Sequence, residues 1–401
     1  MVINNHENNS LDKADVCNEC DLTLLIPKLA VNQKALCPRC GYLLTARRSN
    51  CLDRILAFAI SALIFLILSF QFEFISFEYN GLGDSIKLLD SVRILIDNGY
   101  AWLAIIEVAS VFVIPGFILI SVIYLVFFLR QGRYPPKGLG LTSVIFKLIP
   151  WNMVEIFLIG TLVSFVKIIS IAEIGLGTSY FSFILFSISM TAALLHLDKR
   201  AFYQALTVRR TEQQRVRVPV SEPAEPKLIP QVTSSDKRRA NSLSIQKTWA
   251  LIITAILLYI PANILPIMNT QFLGQNEPNT IIGGVLLLWQ EKSYPIAMVV
   301  FIASIMVPIT KIATLIWLNY SVQIHSGQLS HQRILLYRAA EFIGRWSMVD
   351  IFVVITLTSL VQLGNTMSII PGPASLAFSA VVIITMLAAM SFEPKLIYNE
   401  Y

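Results

Sequence analysis

The chain has 401 residues, 55% of them hydrophobic and only 14% charged, against about 25% charged in soluble domains. That balance excludes an ordinary soluble enzyme and points to a protein that crosses a membrane many times. The net charge of +6 does not call for nucleic acid, because the basic residues gather in particular loops.

Residues 1–16 are polar, and no cleavable signal peptide is expected ahead of the first apolar run near Ile55. Cys17-Asn-Glu-Cys20 and Cys37-Pro-Arg-Cys40-Gly41 then form two C-x-x-C knuckles, sixteen residues apart. Four thiolates in this spacing suit one tetrahedral structural metal ion, usually zinc, on Cys17, Cys20, Cys37 and Cys40. Iron of the rubredoxin type uses the same four ligands, so the spacing does not choose the metal. A disulfide framework is disfavoured for a segment facing a reducing cytosol. Gly41 gives the second knuckle room to turn, and Cys51 is expected to be an ordinary thiol.

Eight apolar segments follow, near 54–72, 101–129, 152–171, 180–197, 248–267, 295–318, 347–364 and 373–391. Each is long enough for a hydrocarbon core of about 30 Å. Loop charge alternates. Arg47, Arg48 and Arg54 flank the first segment on one side, whereas Glu73, Glu78, Asp84, Asp90 and Asp97 lie on the other. The 130–150, 198–247 and 320–345 loops are again basic. The excess of Lys and Arg puts both termini, the cysteine module and the linker in the cytoplasm. The 204–247 linker, rich in Gln, Arg, Pro and Ser, reads as disordered or loosely docked. Pro261 and Pro266 around Asn263 predict either a kinked exit of segment five or a simple helix end.

The two four-segment halves repeat one another. Trp151-Asn-Met-Val-Glu-Ile-Phe matches Trp346-Ser-Met-Val-Asp-Ile-Phe at an offset of 195 (346 − 151), which pairs Glu155 with Asp350. Ile114-Pro115 lies opposite Val307-Pro308, and Leu197-Asp-Lys-Arg-Ala-Phe-Tyr203 opposite Phe392-Glu-Pro-Lys-Leu-Ile-Tyr398. An even number of crossings per half makes the halves parallel. The expected domains are a cytoplasmic module 1–50, a first four-helix unit 51–203, a basic linker 204–247 and a second unit 248–401.

The second half carries Lys311 inside segment six, where the first half has Ile118, and Asp350 one turn inside segment seven. A charge within a membrane-length helix costs roughly 2.5–3.5 kcal/mol on insertion scales, so a partner is expected, and these two are the obvious pair. Ser304, two turns before Lys311 on the same helix face, and Thr385 in segment eight lie at similar depth. Two readings are open. The pair exchanges a proton or changes partners to drive the bundle, or it is a static buried ion pair fixing helix register.

Together, the knuckles, the two four-helix halves, Pro261-Ala-Asn-Ile-Leu-Pro, Gly344-Arg-Trp-Ser-Met-Val-Asp-Ile-Phe and the closing Phe392-Glu-Pro-Lys resemble the paraquat-inducible protein A family of inner-membrane lipid-transport proteins. The resemblance implies an all-α polytopic fold of two tandem tetraspanin-like units, with a rubredoxin-like Cys₄ zinc ribbon at the N-terminus. It also implies the bacterial inner membrane, phospholipid as cargo and a periplasmic MCE-domain protein as partner. The family's polar network maps onto Ser304, Lys311, Asp350 and Thr385, with Glu155 the counterpart of Asp350 in the first half. Proteins of this kind usually carry a second Cys₄ ribbon, but 204–247 contains no cysteine. No nucleotide-binding G-x-x-x-x-G-K-[ST] loop is present, and no enzyme activity is expected. The alternatives to a lipid-transport subunit are a non-transporting anchor for the MCE partner and a redox-responsive membrane protein.

Overall fold

The computed structural model describes residues 14–398, apart from 18, 27–28, 47–49, 80–81, 169–172, 218–233, 273–274, 291, 293, 325–329 and 361–366. The cysteine module consists of two antiparallel hairpins, β1 (Ala14–Val16) with β2 (Thr23–Leu25) and β3 (Lys34–Leu36) with β4 (Leu43–Ala46).

The rest of the chain runs through one order of elements twice. In the first unit, span α1 (Cys51–Leu68) leads to the hairpin β5 (Ile75–Tyr79) and β6 (Leu82–Ile86), then to the short helix α2 (Asp90–Asp97). The next span is α3 (Ala101–Glu107), a π-helical stretch Val108–Val113 and α4 (Ile114–Arg130). Helix α5 (Gly138–Leu148), a 3₁₀ turn Ile149–Trp151 and α6 (Val154–Ile168) return to β7 (Glu173–Leu176), and α7 (Thr178–His196) crosses back to α8 (Lys199–Arg217).

The second unit repeats this order as far as its last span, after which a 3₁₀ turn, Pro394–Ile397, stands where the first unit has α8. Span α9 (Ser234–Ile264) precedes β8 (Met268–Phe272), β9 (Gln275–Asn279) and α10 (Ile281–Gln290). The second span is α11 (Tyr294–Phe301), a π-helical stretch Ile302–Met306 and α12 (Val307–Gln323). Then come α13 (Ser330–Gly344), a 3₁₀ turn Trp346–Met348, α14 (Val349–Leu360), β10 (Met367–Pro371) and α15 (Pro373–Ser391). Eight helical stretches among the described residues are long and apolar enough to cross a membrane.

Both π-helical stretches end one residue short of a proline, at Pro115 and Pro308. Proline has no N–H to give the preceding turn, so the helix widens locally rather than breaking. Each unit then closes its far end with a three-stranded antiparallel sheet, β6-β5-β7 in one and β9-β8-β10 in the other. The third strand comes from between the unit's last two spans and ties them to the hairpin after its first. Equivalent glycines make this possible. A Cβ at Gly177 would lie 1.9 Å from the Glu73 carbonyl oxygen, and one at Gly372 would lie 2.1 Å from that of Pro266. Only glycine allows the backbones to pass this closely.

The units join along α6 and α14, the two helices that carry the repeated Trp-x-Met-Val-acid motif. Phe157 and Phe352, equivalent at the same offset of 195 (352 − 157), meet edge to face with centroids 5.5 Å apart. Gly160 sits directly under Phe352, where a Cβ would come within 2.8 Å of the Phe352 Cβ. Without a hydrophobic drive between helices in lipid, contact this close between small and large residues is what holds spans together.

Three features differ from the sequence expectation. The loops 72–98 and 268–294 hold hairpins and short helices, so the membrane units are not purely helical. The third and seventh spans begin earlier, in α5 and α13, because apolar residues in both loops pack onto the bundle, Ile145 in one and Ile334 and Tyr337 in the other. Nor is the linker loose at its ends: α8 runs to Arg217 and α9 begins at Ser234. Phe202 and Leu206, one turn apart, are buried and seat α8 beside α5. Residues 218–233 lie outside the described residues. At Pro261 the helix continues to Ile264 and ends there, which favours the simple helix end.

Gly160→Leu is expected to lower stability by about 1–3 kcal/mol through overpacking at the α6–α14 contact. Gly140→Ala, where no atom lies within 4 Å of the new Cβ, should be neutral or stabilising. Thermal melting of both variants in detergent checks this.

Candidate metal module and buried polar site

The four thiols converge although they come from two separate knuckles. Cys17 Sγ lies 3.6 Å from Cys40 Sγ, and Cys20 Sγ lies 3.5 Å from Cys37 Sγ. All four lie within 4.8 Å of one another and are buried. Disulfides need about 2.0 Å, whereas a tetrahedron with metal–sulfur bonds of about 2.3 Å has edges of about 3.8 Å. The residues therefore fit a metal ion.

The knuckles are built alike. The N–H of Cys17 donates to the Leu22 carbonyl (2.9 Å), as that of Cys37 does to Tyr42 (2.8 Å). Asp21 and Gly41 follow the second cysteines at φ 57° and 67°, so the turn that Gly41 was expected to permit is present in both knuckles. Backbone N–H groups face the sulfurs. Burial pushes the Cys37 thiol up, but the N–H groups of Cys40 and Arg39, together with the neighbouring Cys20 and Cys40 thiols, outweigh it and bring its pKa to about 7. Such donors stabilise the thiolate that a metal needs.

Side chains from both units hold the module. Asp198 Oδ1 caps α8 through the N–H groups of Arg200 (2.9 Å) and Ala201 (3.3 Å). Its Oδ2 accepts from Thr45 Oγ1 (2.8 Å) and the Ala46 N–H (3.0 Å) on β4. Arg200 donates to the Val16 carbonyl at 2.6 Å. From the second unit, Lys395 pairs with Asp21 at 3.4 Å, and Tyr398 lies under the Arg39 guanidinium at 4.6 Å. Arg200 and Lys395 are repeat equivalents, so the module bridges the same closing motif of both units. On α13, Arg338 reaches Glu19 at 3.9 Å and covers the Tyr42 ring. Burial pushes the Glu19 carboxyl up, and Arg338 opposes it.

Deeper in the second unit, Ser304, Lys311, Asp350 and Thr385 are all buried, with Lys311 3% and Asp350 7% exposed. Ser304 lies in the π-helical stretch and donates to the Val300 carbonyl at 2.6 Å. Thr385 donates to Val382 at 3.0 Å. The stretch carrying Ser304 packs against α14, and the 3₁₀ turn before Asp350 packs against both α12 and α15. The end of the Lys311 side chain lies on Gly344, where a Cβ would come within 2.6 Å of its Cε and Nζ. The carboxylate whose field reaches its ammonium is Glu341 on α13. Lys311, Glu341 and Arg345 line a cavity of about 170 Å³ with Met386, Met390 and Pro150. Glu155, the repeat partner of Asp350, is exposed and accepts a hydrogen bond from Thr191 on α7, away from this cluster.

Two acids escaped the sequence reading. Glu341 lay in the stretch taken as a loop. Glu107 lay inside an apolar run already assigned to the membrane, and a carboxylate in that run was the signal that could have found it. Glu107 is 0% exposed and accepts a hydrogen bond from Ser91 Oγ at 2.7 Å.

Eight apolar spans in two like-built halves, with ionisable side chains enclosed among them and a cysteine metal site at one end, define a multi-pass membrane protein. The chain belongs to the Paraquat-inducible protein A family, which it matches over residues 52–207 and 245–401. It is 38% identical to the Intermembrane transport protein PqiA of Escherichia coli strain K12, over 98% of this chain and 97% of that protein. It is 30% identical to the Lipophilic envelope-spanning tunnel protein A of the same strain, over 96% of this chain and 91% of the relative. A Probable intermembrane transport protein of Haemophilus influenzae is 29% identical, over 96% and 95%. No solved structure matches the chain.

Cys17→Ser is expected to abolish metal binding in elemental analysis of the purified protein and to speed proteolysis within residues 14–46. Lowering the pH should release the metal from the native chain as the thiolates take up protons.

Proposed function

We propose that this protein is the inner-membrane subunit of an MCE-type intermembrane lipid transport system, loading or unloading phospholipid for a periplasmic MCE-domain tunnel. Relatives named as intermembrane transport and envelope-spanning tunnel proteins support this reading. The alternation of basic loops puts the cysteine module and both termini in the cytoplasm, and the two small sheets on the periplasmic side, where a tunnel protein would dock. The Cys₄ site holds one structural zinc ion.

The observation that carries the mechanism is the enclosed ammonium of Lys311. Its side chain rests on a glycine, at the edge of a cavity, with Glu341 as the nearby acid. Asp350 lies on α14, and the 3₁₀ turn just before it packs against α12. A fixed register-setting pair would hold one ammonium against one carboxylate. Here one ammonium has two acids on neighbouring helices. Its transfer from Glu341 towards Asp350, balanced by proton uptake on the acid it leaves, changes how α12, α13 and α14 are held together. Ser304, in the widened turn, gives α12 the backbone freedom to follow. Proton-motive force is the energy source in this scheme.

Lys311→Ala and Asp350→Asn are expected to assemble at wild-type levels yet fail to restore an outer-membrane lipid barrier in cells lacking the protein. Normal barrier function in both would support a non-transporting anchor instead. Gly344→Val, which must displace the Lys311 side chain without removing it, should reproduce the Lys311→Ala defect while metal content stays unchanged.

A further inference from the structure

Strand β4 of the cysteine module, helix α5 and the junction of α7 with α8 enclose a cavity of about 360 Å³, within the range of small-ligand sites. His196, the last residue of a membrane-length span, lines it. The cavity therefore lies at the level of the phospholipid phosphates in the leaflet on the module's side.

Much of its polar lining is already engaged. Asp198 accepts from the Arg200 and Ala201 N–H groups on Oδ1, and from the Thr45 hydroxyl and the Ala46 N–H on Oδ2. Four donors offset this carboxylate, which also occupies the N-terminus of α8. The Arg200 guanidinium is held by the Val16 carbonyl at 2.6 Å. Lys199 is different. It is exposed, forms no ion pair among the described residues, and holds its ammonium 5.9 Å from the centroid of the Phe146 ring. Pro394 takes its place in the second unit, at the offset of 195 (394 − 199), so closing a unit does not require a cation there. At His196, Nδ1 lies 2.8 Å from the Ala192 carbonyl and must donate to it. That leaves Nε2 as an acceptor, suited to a hydroxyl rather than to a phosphate oxygen.

The remaining lining is apolar and open. Leu43 on β4 and Leu195 on α7 border the cavity, yet are 44% and 67% exposed. Together with Phe146 they place greasy surface next to a cation at the membrane edge. Free phosphate would use only the cation, whereas a lipid uses both. Two cations against one acid line the space, which favours an anionic headgroup over a zwitterionic one.

We propose that this cavity binds one anionic phospholipid of the module-side leaflet, with its phosphate on Lys199, a headgroup hydroxyl on His196 and an acyl chain against Leu43 and Leu195. A phosphatidylglycerol meets all three requirements. The lipid touches the module and the first unit at once, so its binding fastens one to the other. The site shares no lining residue with the Lys311 cavity and does not rest on the transport reading.

The test uses full-length protein in phosphatidylcholine nanodiscs containing a small fraction of phosphatidylglycerol with a diazirine on the acyl chain close to the glycerol. After irradiation, peptide mass spectrometry should find adducts concentrated on the peptides that hold Leu43 and Leu195. They should fall several-fold in Lys199→Glu, persist in Lys199→Arg, and be several-fold weaker with the matching phosphatidylcholine probe. Excess unlabelled phosphatidylglycerol should displace the probe, and inorganic phosphate should not. Adducts spread along the spans and unchanged in Lys199→Glu overturn the site and leave an open crevice. Displacement by inorganic phosphate as effective as by lipid assigns the cavity to a soluble anion and refutes the lipid. Labelling lost equally in Lys311→Ala marks the lipid as cargo and refutes a separate site. Metal content reports whether the module is intact in each variant. Should Lys199→Glu lose metal, Lys199→Gln, which adds no charge beside Asp198, is read in its place with the same expected fall.

Discussion

Hydrocarbon offers no partner to a polar group, and that single constraint shapes both units. Every departure from a plain apolar helix must be compensated within the protein. Where proline removes a backbone donor, the turn ahead of it widens into a π-helical stretch instead of opening to lipid. Several serine and threonine hydroxyls within the spans turn back to a carbonyl of their own helix, as at Ser304, Thr385 and Ser164. Lys311, Glu341 and Glu107 lie instead at junctions between helices, Lys311 and Glu341 at one cavity and Glu107 at another.

Those junctions fall where the duplication stops being symmetrical. The two units share element order, sheets, π-helical stretches and crossing glycines, and they meet through equivalent phenylalanines on α6 and α14. Against that common frame, the second unit places an ammonium beyond its proline and the first places a carboxyl ahead of its π-helical stretch. Duplication supplies two rigid halves, and substitution at non-equivalent depths gives them different electrostatic roles. Helix α14 is the element both share, lined by the polar groups of one unit and packed on the other.

Much of this was legible in the residues. The C-x-x-C spacing gave the thiol cluster, hydropathy gave eight spans, and the Trp-x-Met-Val-acid repeat identified the helices that turn out to join the units. Lys311 and Asp350 were found because each interrupts an apolar run. What stayed hidden depends on tertiary choice. Only the position of α13 brings Glu341 to the cavity that Lys311 lines. The segment around Glu341 has too many charges to be read as a span, yet Ile334, Tyr337 and Ala340 bury one stripe of it. The sheets were missed because their strands are five residues or fewer and alternate weakly, so that closure depends on glycines at Gly177 and Gly372 rather than on strand propensity.

The cysteine module grips the terminal motif of each unit at once, through Asp198 and Arg200 on one side and Lys395 and Tyr398 on the other. Two short hairpins gathered around one point thus tie the ends of both repeats to a single small fold, and loss of that fold would free both ends together while leaving the α6–α14 contact in place.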